Sequence, residues 1–169
     1  MSRRERTAKG AAAAALVALA AAGCAGARTV SAGDVPPDAV EQKAHTLTRQ
    51  TLDAIRPALG GTPRTGVARA RWEACTTETP GRHRYQYTYT VDVAVPESAS
   101  AAVMTAARAH FTTMGYLLDP ADGTNRRAGA TLPQSTWTVR LGVKDASTTV
   151  IEAGSDCVFT TRDPRTGAG

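Results

Sequence analysis

Two stretches of the chain place apolar residues at every third or fourth position, which is the spacing of an amphipathic helix. The first helix is predicted to begin at Pro36-Pro37-Asp38 and to end at Gly60-Gly61, or earlier at Pro57, since proline removes a helical hydrogen bond. The second is predicted to begin at Pro96-Glu97-Ser98 and to end at Gly115. The apolar stripes of the two helices are Val40, Ala44, Leu47, Thr51, Ile55 and Leu59, and Val103, Ala107, Phe111 and Met114, respectively.

Elsewhere apolar and polar residues alternate, which is typical of a strand with one buried face. Five strands are predicted, at residues 67–75, 85–95, 136–143, 148–153 and 157–161. The polar, glycine-bearing stretch 119–131 is predicted to be an irregular loop. The order α-β-β-α-β-β-β, with short turns between consecutive strands, favours antiparallel pairing. The predicted fold class is therefore α+β, a two-layer sandwich in which two helices cover one face of an antiparallel sheet of about five strands.

The strand at residues 85–95 carries the longest alternation in the chain. One face holds Tyr85, Tyr87, Tyr89, Val91, Val93 and Val95. We interpret it as a central strand whose aromatic and valine face packs against the helices. In an alternative interpretation the tyrosines line a binding groove, because tyrosine offers both apolar area and a hydroxyl group. Tyr85 lies nearest the strand end and is retained as a candidate ligand contact.

The N-terminal segment has the features of an export signal. Residues 2–9 are basic, and residues 11–22 form an alanine-rich apolar run that is too short to span a bilayer. The run ends in Ala21-Ala22-Gly23-Cys24, which resembles the lipobox of bacterial lipoproteins, although that family usually has leucine where Ala21 stands. The resemblance implies cleavage before Cys24 and lipid attachment to its thiol. In an alternative interpretation an ordinary signal is cut after Ala27, which would discard Cys24. The export route, general or twin-arginine, stays open.

These boundaries divide the chain into a signal peptide (residues 1–23), a flexible tether (24–35), a single α+β domain (36–161) and a disordered tail (162–169). If Cys24 carries lipid, only Cys75 and Cys157 remain. An exported protein meets an oxidising environment, so this pair is predicted to form a disulfide, which would make the first and last strands neighbours. The alternative is two buried free thiols.

Charge and chemistry exclude several classes of function. The chain has a formal net charge of +5, but removal of residues 1–23 would lower it to +2, so we expect no nucleic-acid partner. The three histidines His45, His83 and His110 are not spaced as metal ligands, and no nucleophile motif occurs. We therefore expect no catalytic residue, no metal and no cofactor.

The general layout also resembles the small secreted lipoproteins of uncharacterised function in GC-rich Gram-positive bacteria. That resemblance implies a lipid-anchored position on the outer side of the cell membrane. The expected function is that of a non-catalytic binding or accessory module, with an envelope protein as a candidate partner. Two alternatives stay open: an envelope enzyme whose site is assembled from residues distant in sequence, and a structural subunit of an envelope complex.

Overall fold

The structure, a computed structural model, describes residues 33–75, 83–121 and 123–166. The predicted signal, Cys24 and most of the tether lie outside the described residues. The two helices are α1 (Pro37–Ile55), which continues as a 3-10 turn at Arg56–Leu59, and α2 (Glu97–Thr113). The strands are β1 (Asp34–Val35), β2 (Thr65–Ala74), β3 (His83–Ala94), β4 (Leu117–Leu118), β5 (Arg127–Thr131), β6 (Thr138–Asp145), β7 (Thr148–Gly154) and β8 (Val158–Thr160).

These strands form one mixed sheet rather than a purely antiparallel one. From one edge the antiparallel order is β2, β3, β7, β6, β5, β4. Beyond the end of β7, the first residues of β3 pair with β8, and β8 pairs in parallel with the short β1. The α+β architecture with two helices is confirmed. The sheet has eight strands where about five were expected, and it is mixed because β1 and β8 are parallel whereas the other pairs are antiparallel.

Strand β5 corrects the prediction that residues 119–131 form an irregular loop. Its sequence Arg-Ala-Gly-Ala-Thr has no large apolar side chain, so its alternation is hard to see. Ala128 and Ala130 are buried on the helix side. Gly129 faces the other side, where the carboxylate of Asp119 occupies the space that a side chain would need. A strand of small residues forms here because its neighbours supply the bulk.

The core lies between the helices and one face of the sheet. Helix α1 packs on the face of β3 that carries the odd-numbered residues, as predicted, whereas α2 packs on β4, β5 and β6. Most of both predicted apolar stripes is buried, but Leu59 is only half-buried and Met114 is exposed. Tyr87, Val91 and Val93 are buried in this core, and Tyr89 is half-buried beside it. Tyr85 is also buried, but outside this core, under the side chain of Arg165. Among residues 33–75, 83–121 and 123–166, neither helix is long and apolar enough to cross a bilayer.

The sulfur atoms of Cys75 and Cys157 lie at disulfide distance, with their Cα atoms 6.2 Å apart. The expectation that this pair makes the first and last predicted strands neighbours is wrong. Both β2 and β8 pair with β3, and Tyr85 has a partner on each side, Ala74 and Val158. The cysteines therefore connect the two strands that flank the beginning of β3.

The tail that was predicted from Arg162 onward is described as far as Thr166, and over this stretch it packs against the domain. Arg162 Nη2 lies 2.8 Å from Asp38 Oδ1 at the start of α1. Pro164 is buried at the beginning of a 3-10 turn. These contacts explain why a polar, proline-bearing segment holds a defined position.

Candidate functional site

The two helices pack on other strands of the sheet and leave strand β2 largely uncovered. Helix α1 packs mainly on β3 and β7, and α2 packs on β4, β5 and β6. The helix-facing side of β2 therefore borders an open cleft, and every residue of the strand except Trp72 is exposed. The cleft between α1 and β2 has a volume of about 620 Å³. That volume lies within the range of small-molecule sites, about 300–1,000 Å³.

Small side chains on β2 keep this α1–β2 cleft open. Ala68 and Ala70 lie on its side of the strand, and each contributes only a methyl group. Trp72 lies next to the lining residue Glu41, because its Nε1 donates a hydrogen bond to Glu41 Oε1 at 2.9 Å. The cleft is thus a trough between α1 and the small side chains of β2.

The α1–β2 cleft offers both a flat ring pair and opposite charges. His45 of α1 and Tyr89 of β3 have ring centroids 4.1 Å apart with their planes tilted by 45°. Both residues line the cleft, with Glu41 toward one end and Arg49 toward the other. Those two residues are eight positions apart on the helix, which corresponds to about 12 Å along the axis. A ligand that lies along α1 would meet an acidic group, a ring surface and a basic group in turn.

A buried hydroxyl group in the lining has no partner. Thr48 lines the cleft and is 2% exposed, yet its Oγ1 makes no hydrogen bond within the described part of the chain. By contrast, Thr51 one turn further on donates to the carbonyl oxygen of Leu47 at 2.8 Å. An unpaired buried hydroxyl costs about 1–3 kcal/mol. The oxygen is shielded from solvent in this conformation, so a polar ligand atom or a water molecule would bond to it after the side chain turns toward the cleft.

A second depression lies on the sheet face that the helices leave uncovered, and its volume is about 520 Å³. It opens above Gly142, where no atom lies near the position that a side chain would take. Its charged groups neutralise one another, since Arg140 Nε lies 3.4 Å from Asp119 Oδ2. No buried polar atom without a partner is found in its described lining. The α1–β2 cleft is therefore the stronger candidate.

The side chains that line the α1–β2 cleft can contact a ligand in several ways. Its described lining contains one histidine and no serine or cysteine. No group of three or more metal-ligating side chains occurs within the described ranges. The groups present can stack on a ring, pair with charge and donate or accept hydrogen bonds.

The predicted ligand contact Tyr85 does not line this cleft. It is 4% exposed, and its hydroxyl accepts a hydrogen bond from Arg165 Nη2 at 2.9 Å. The Arg165 guanidinium also lies over the ring, 4.9 Å from its centroid, and burial raises the pKa of the phenol. The tyrosine that faces the cleft is Tyr89. Its position could have been predicted from the alanines on the helix-facing side of β2, because their side chains are too small to cover a neighbouring ring.

Of the other predicted site residues, Cys75 and Cys157 come together as described above, and Cys24 lies outside the described residues. The residues of the α1–β2 cleft come from α1, the start of β2 and the middle of β3, which are far apart in the sequence. Comparison of the chain with protein-family models, with curated proteins and with solved structures found no match.

Proposed function

We propose that the protein is a non-catalytic binding module that is exported, held on the outer side of the cell membrane by lipid on Cys24, and occupied by its ligand in the α1–β2 cleft. The observation that carries the binding function is the buried Thr48 hydroxyl, which has no described partner and lines the cleft. The sequence from residue 2 to Cys24, with its lipobox-like end, supports the location.

The lining favours a compact ligand that carries both charges. A cationic group would pair with Glu41, and an anionic group about 12 Å away would pair with Arg49. Between them, a flat or apolar part would lie against His45 and Tyr89. Short peptides and other zwitterions meet this description.

The test places a photo-crosslinking amino acid in the cleft of the full chain, in cells that export it. Gln42 is exposed and lines the cleft, so it is the labelled position. Arg127 is also exposed but lies in the depression on the opposite sheet face, so it is the matched control. After irradiation, intact-mass analysis should reveal an adduct on the protein labelled at position 42 and none on the control.

A second variant separates binding in the cleft from nonspecific labelling. Ala68→Trp would fill the trough from the exposed strand β2 without entering the core. The position 42 adduct should disappear in this variant while its thermal melting curve stays close to that of the parent. Equal labelling at positions 42 and 127, or an adduct that survives Ala68→Trp in a folded protein, would refute the proposal.

A further inference from the structure

Strand β2 forms one edge of the sheet that the described residues build. It pairs with β3 on one side, and within the described residues no strand pairs with its other side. The backbone N–H of Cys75 donates to the carbonyl oxygen of Arg84 at 3.0 Å. Because bonding alternates along an antiparallel pair, Arg71 and Glu73 also bond toward β3, while the residues between them direct N–H and C=O groups outward. These outward residues are Ala68, Ala70, Trp72 and Ala74.

This edge carries two features that discourage pairing with an arbitrary strand, a register irregularity between Thr65 and Ala68 and the charged side chains of Arg69, Arg71 and Glu73. It is therefore open only to a strand whose charges complement its own. It is ten residues long, almost entirely exposed, and free of proline. Helix α1 does not obstruct it, because α1 packs on β3 and β7 instead. An added strand could therefore approach in the plane of the sheet.

We propose that the occupant of this edge is the β2 strand of a second copy of the chain, in antiparallel two-fold pairing with Trp72 opposite Trp72 of the second copy. In this register Arg71 stands opposite Glu73 of the second copy, and the symmetry repeats the pair. Both side chains are exposed, on the sheet face away from the helices.

Charge selects this register over its neighbours. When the second copy shifts by two residues along β2, every side chain stays on its own sheet face, whereas a shift by one residue moves it to the other face. One two-residue step toward the start of β2 places Arg71 opposite Arg71, and one step toward its end places Glu73 opposite Glu73. Both arrangements set like charges against each other at the centre, which is unfavourable. The first also places Arg69 opposite Glu73 of the second copy, but the Arg69 guanidinium already lies 2.6 Å from Asp92 Oδ1 of its own chain.

The favoured register adds to an ion pair that already exists within each chain. Arg71 Nε lies 3.2 Å from Glu73 Oε1 of the same strand. Two-fold pairing brings two such pairs side by side, which gives a ring of four alternating charges. The helix-facing side is also compatible, because Trp72 leans toward its own α1 through its hydrogen bond to Glu41.

Pairing also has a geometric consequence for the α1–β2 cleft. The two clefts would open toward each other over the joined β2 strands, so two α1 helices would form opposite walls of one trough. The pairing itself rests on the free edge and its charges, and it holds whether or not the cleft binds a ligand.

The test is sedimentation equilibrium of the full exported chain in density-matched detergent, at concentrations from about 10 µM to about 1 mM, since a short interface gives weak association. The parent should form a dimer. Arg71→Glu and Glu73→Arg should each weaken dimerisation at least about tenfold, because each sets like charges against each other across the axis. The combination of both changes restores opposite charges and should recover dimerisation to within about threefold.

Two further variants complete the design. Arg127→Glu makes the same charge change on an exposed strand residue away from the edge, and it should leave dimerisation unchanged. Ala70→Pro removes an outward N–H without touching the bonds to β3, and it should weaken dimerisation. A parent that stays monomeric up to about 1 mM would overturn the proposal. So would single charge variants that dimerise like the parent, or a folded double variant that stays monomeric.

Discussion

Arg165 ties the C-terminal segment to the beginning of β3. Its Nη2 lies 2.9 Å both from the hydroxyl of Tyr85 and from Asp163 Oδ2. The guanidinium of Arg165, together with its backbone N–H, holds the pKa of the Asp163 carboxyl well below its ordinary range. A side chain that the sequence suggested for ligand contact thus belongs to a structural cluster.

The pH dependence of stability should reveal this cluster. A carboxyl with a lowered pKa in the folded state stabilises the fold above its ordinary pKa of about 4, and this contribution is lost as the pH falls below that value. Asp163→Asn removes the contribution. In urea unfolding, the variant should be less stable than the parent at neutral pH, and the gap should narrow as the pH falls toward 3. An identical gap at both pH values would show that Asp163 has no special role.

Tyr87 and Tyr89 share one face of β3 but have different surroundings. Tyr87 is 1% exposed and its ring lies 4.7 Å from that of Trp72, and burial raises its pKa to about 12. Tyr87→Ala should cost about 3–5 kcal/mol of unfolding free energy because it leaves a cavity. Tyr89→Ala should cost less than half as much, since its ring borders the open cleft. Urea melts of both variants check this difference, and equal losses would place Tyr89 in the core.

At the scale of elements, the sequence predicted the strands along which large apolar and polar side chains alternate. Strand β3 was found because large side chains alternate over its whole length. Strand β5 was missed because Ala128 and Ala130 owe their burial to α2 and not to their size. Strands β1 and β4 have two residues each, too few for any period. The alanines on the inner side of β2 indicate an open face, but the α1–β2 cleft itself could not be predicted, since it depends on where α1 packs and not on what α1 contains.

The link between Cys75 and Cys157 is the longest-range covalent connection that the described residues offer, with a sequence separation of 82. In the simple entropic model, closing a loop of this size stabilises the fold by about 4–5 kcal/mol. Changing both cysteines to serine should lower the unfolding free energy of the exported protein by up to that amount. Reductant should do the same to the parent and have no effect on the variant.

Peptide mapping of the exported protein without reductant provides an independent check of this pair. It should recover the Cys75 and Cys157 peptides joined to each other. Recovery of both thiols free would contradict the prediction and favour the alternative of two buried cysteines.

At the scale of the whole molecule, the proposed anchor limits how far the domain can lie from the membrane. Between Cys24 and Asp34 there are ten residue steps, which reach at most about 35 Å when extended. If Cys24 carries lipid, the domain stays within that distance of the bilayer. The tether also confines any second copy to the same surface, which raises its effective concentration and favours the weak pairing proposed for β2.

Cys24→Ser tests the anchor. In the parent, intact-mass analysis should find an N-terminus at residue 24 that carries acyl chains, since two chains hold a protein on a membrane far more firmly than one. The variant lacks the thiol and should accumulate as unprocessed precursor or be released from the cell. An unmodified parent that begins after Ala27 would refute lipidation and favour an ordinary secretory signal.

The position of β1 decides how the domain responds to a mechanical load. A pull from the N-terminal side enters at Asp34 and Val35, which pair in parallel with Phe159 and Thr160. We expect this two-residue ladder, with the adjoining hydrogen bond from the Thr161 N–H to the Val35 carbonyl oxygen, to break before the longer ladders from β2 to β7. Peeling would release about three residues and lengthen the chain by about 10 Å before α1 carries force. A short segment between the proposed anchor and the folded core would therefore extend under load and delay the transfer of force to α1.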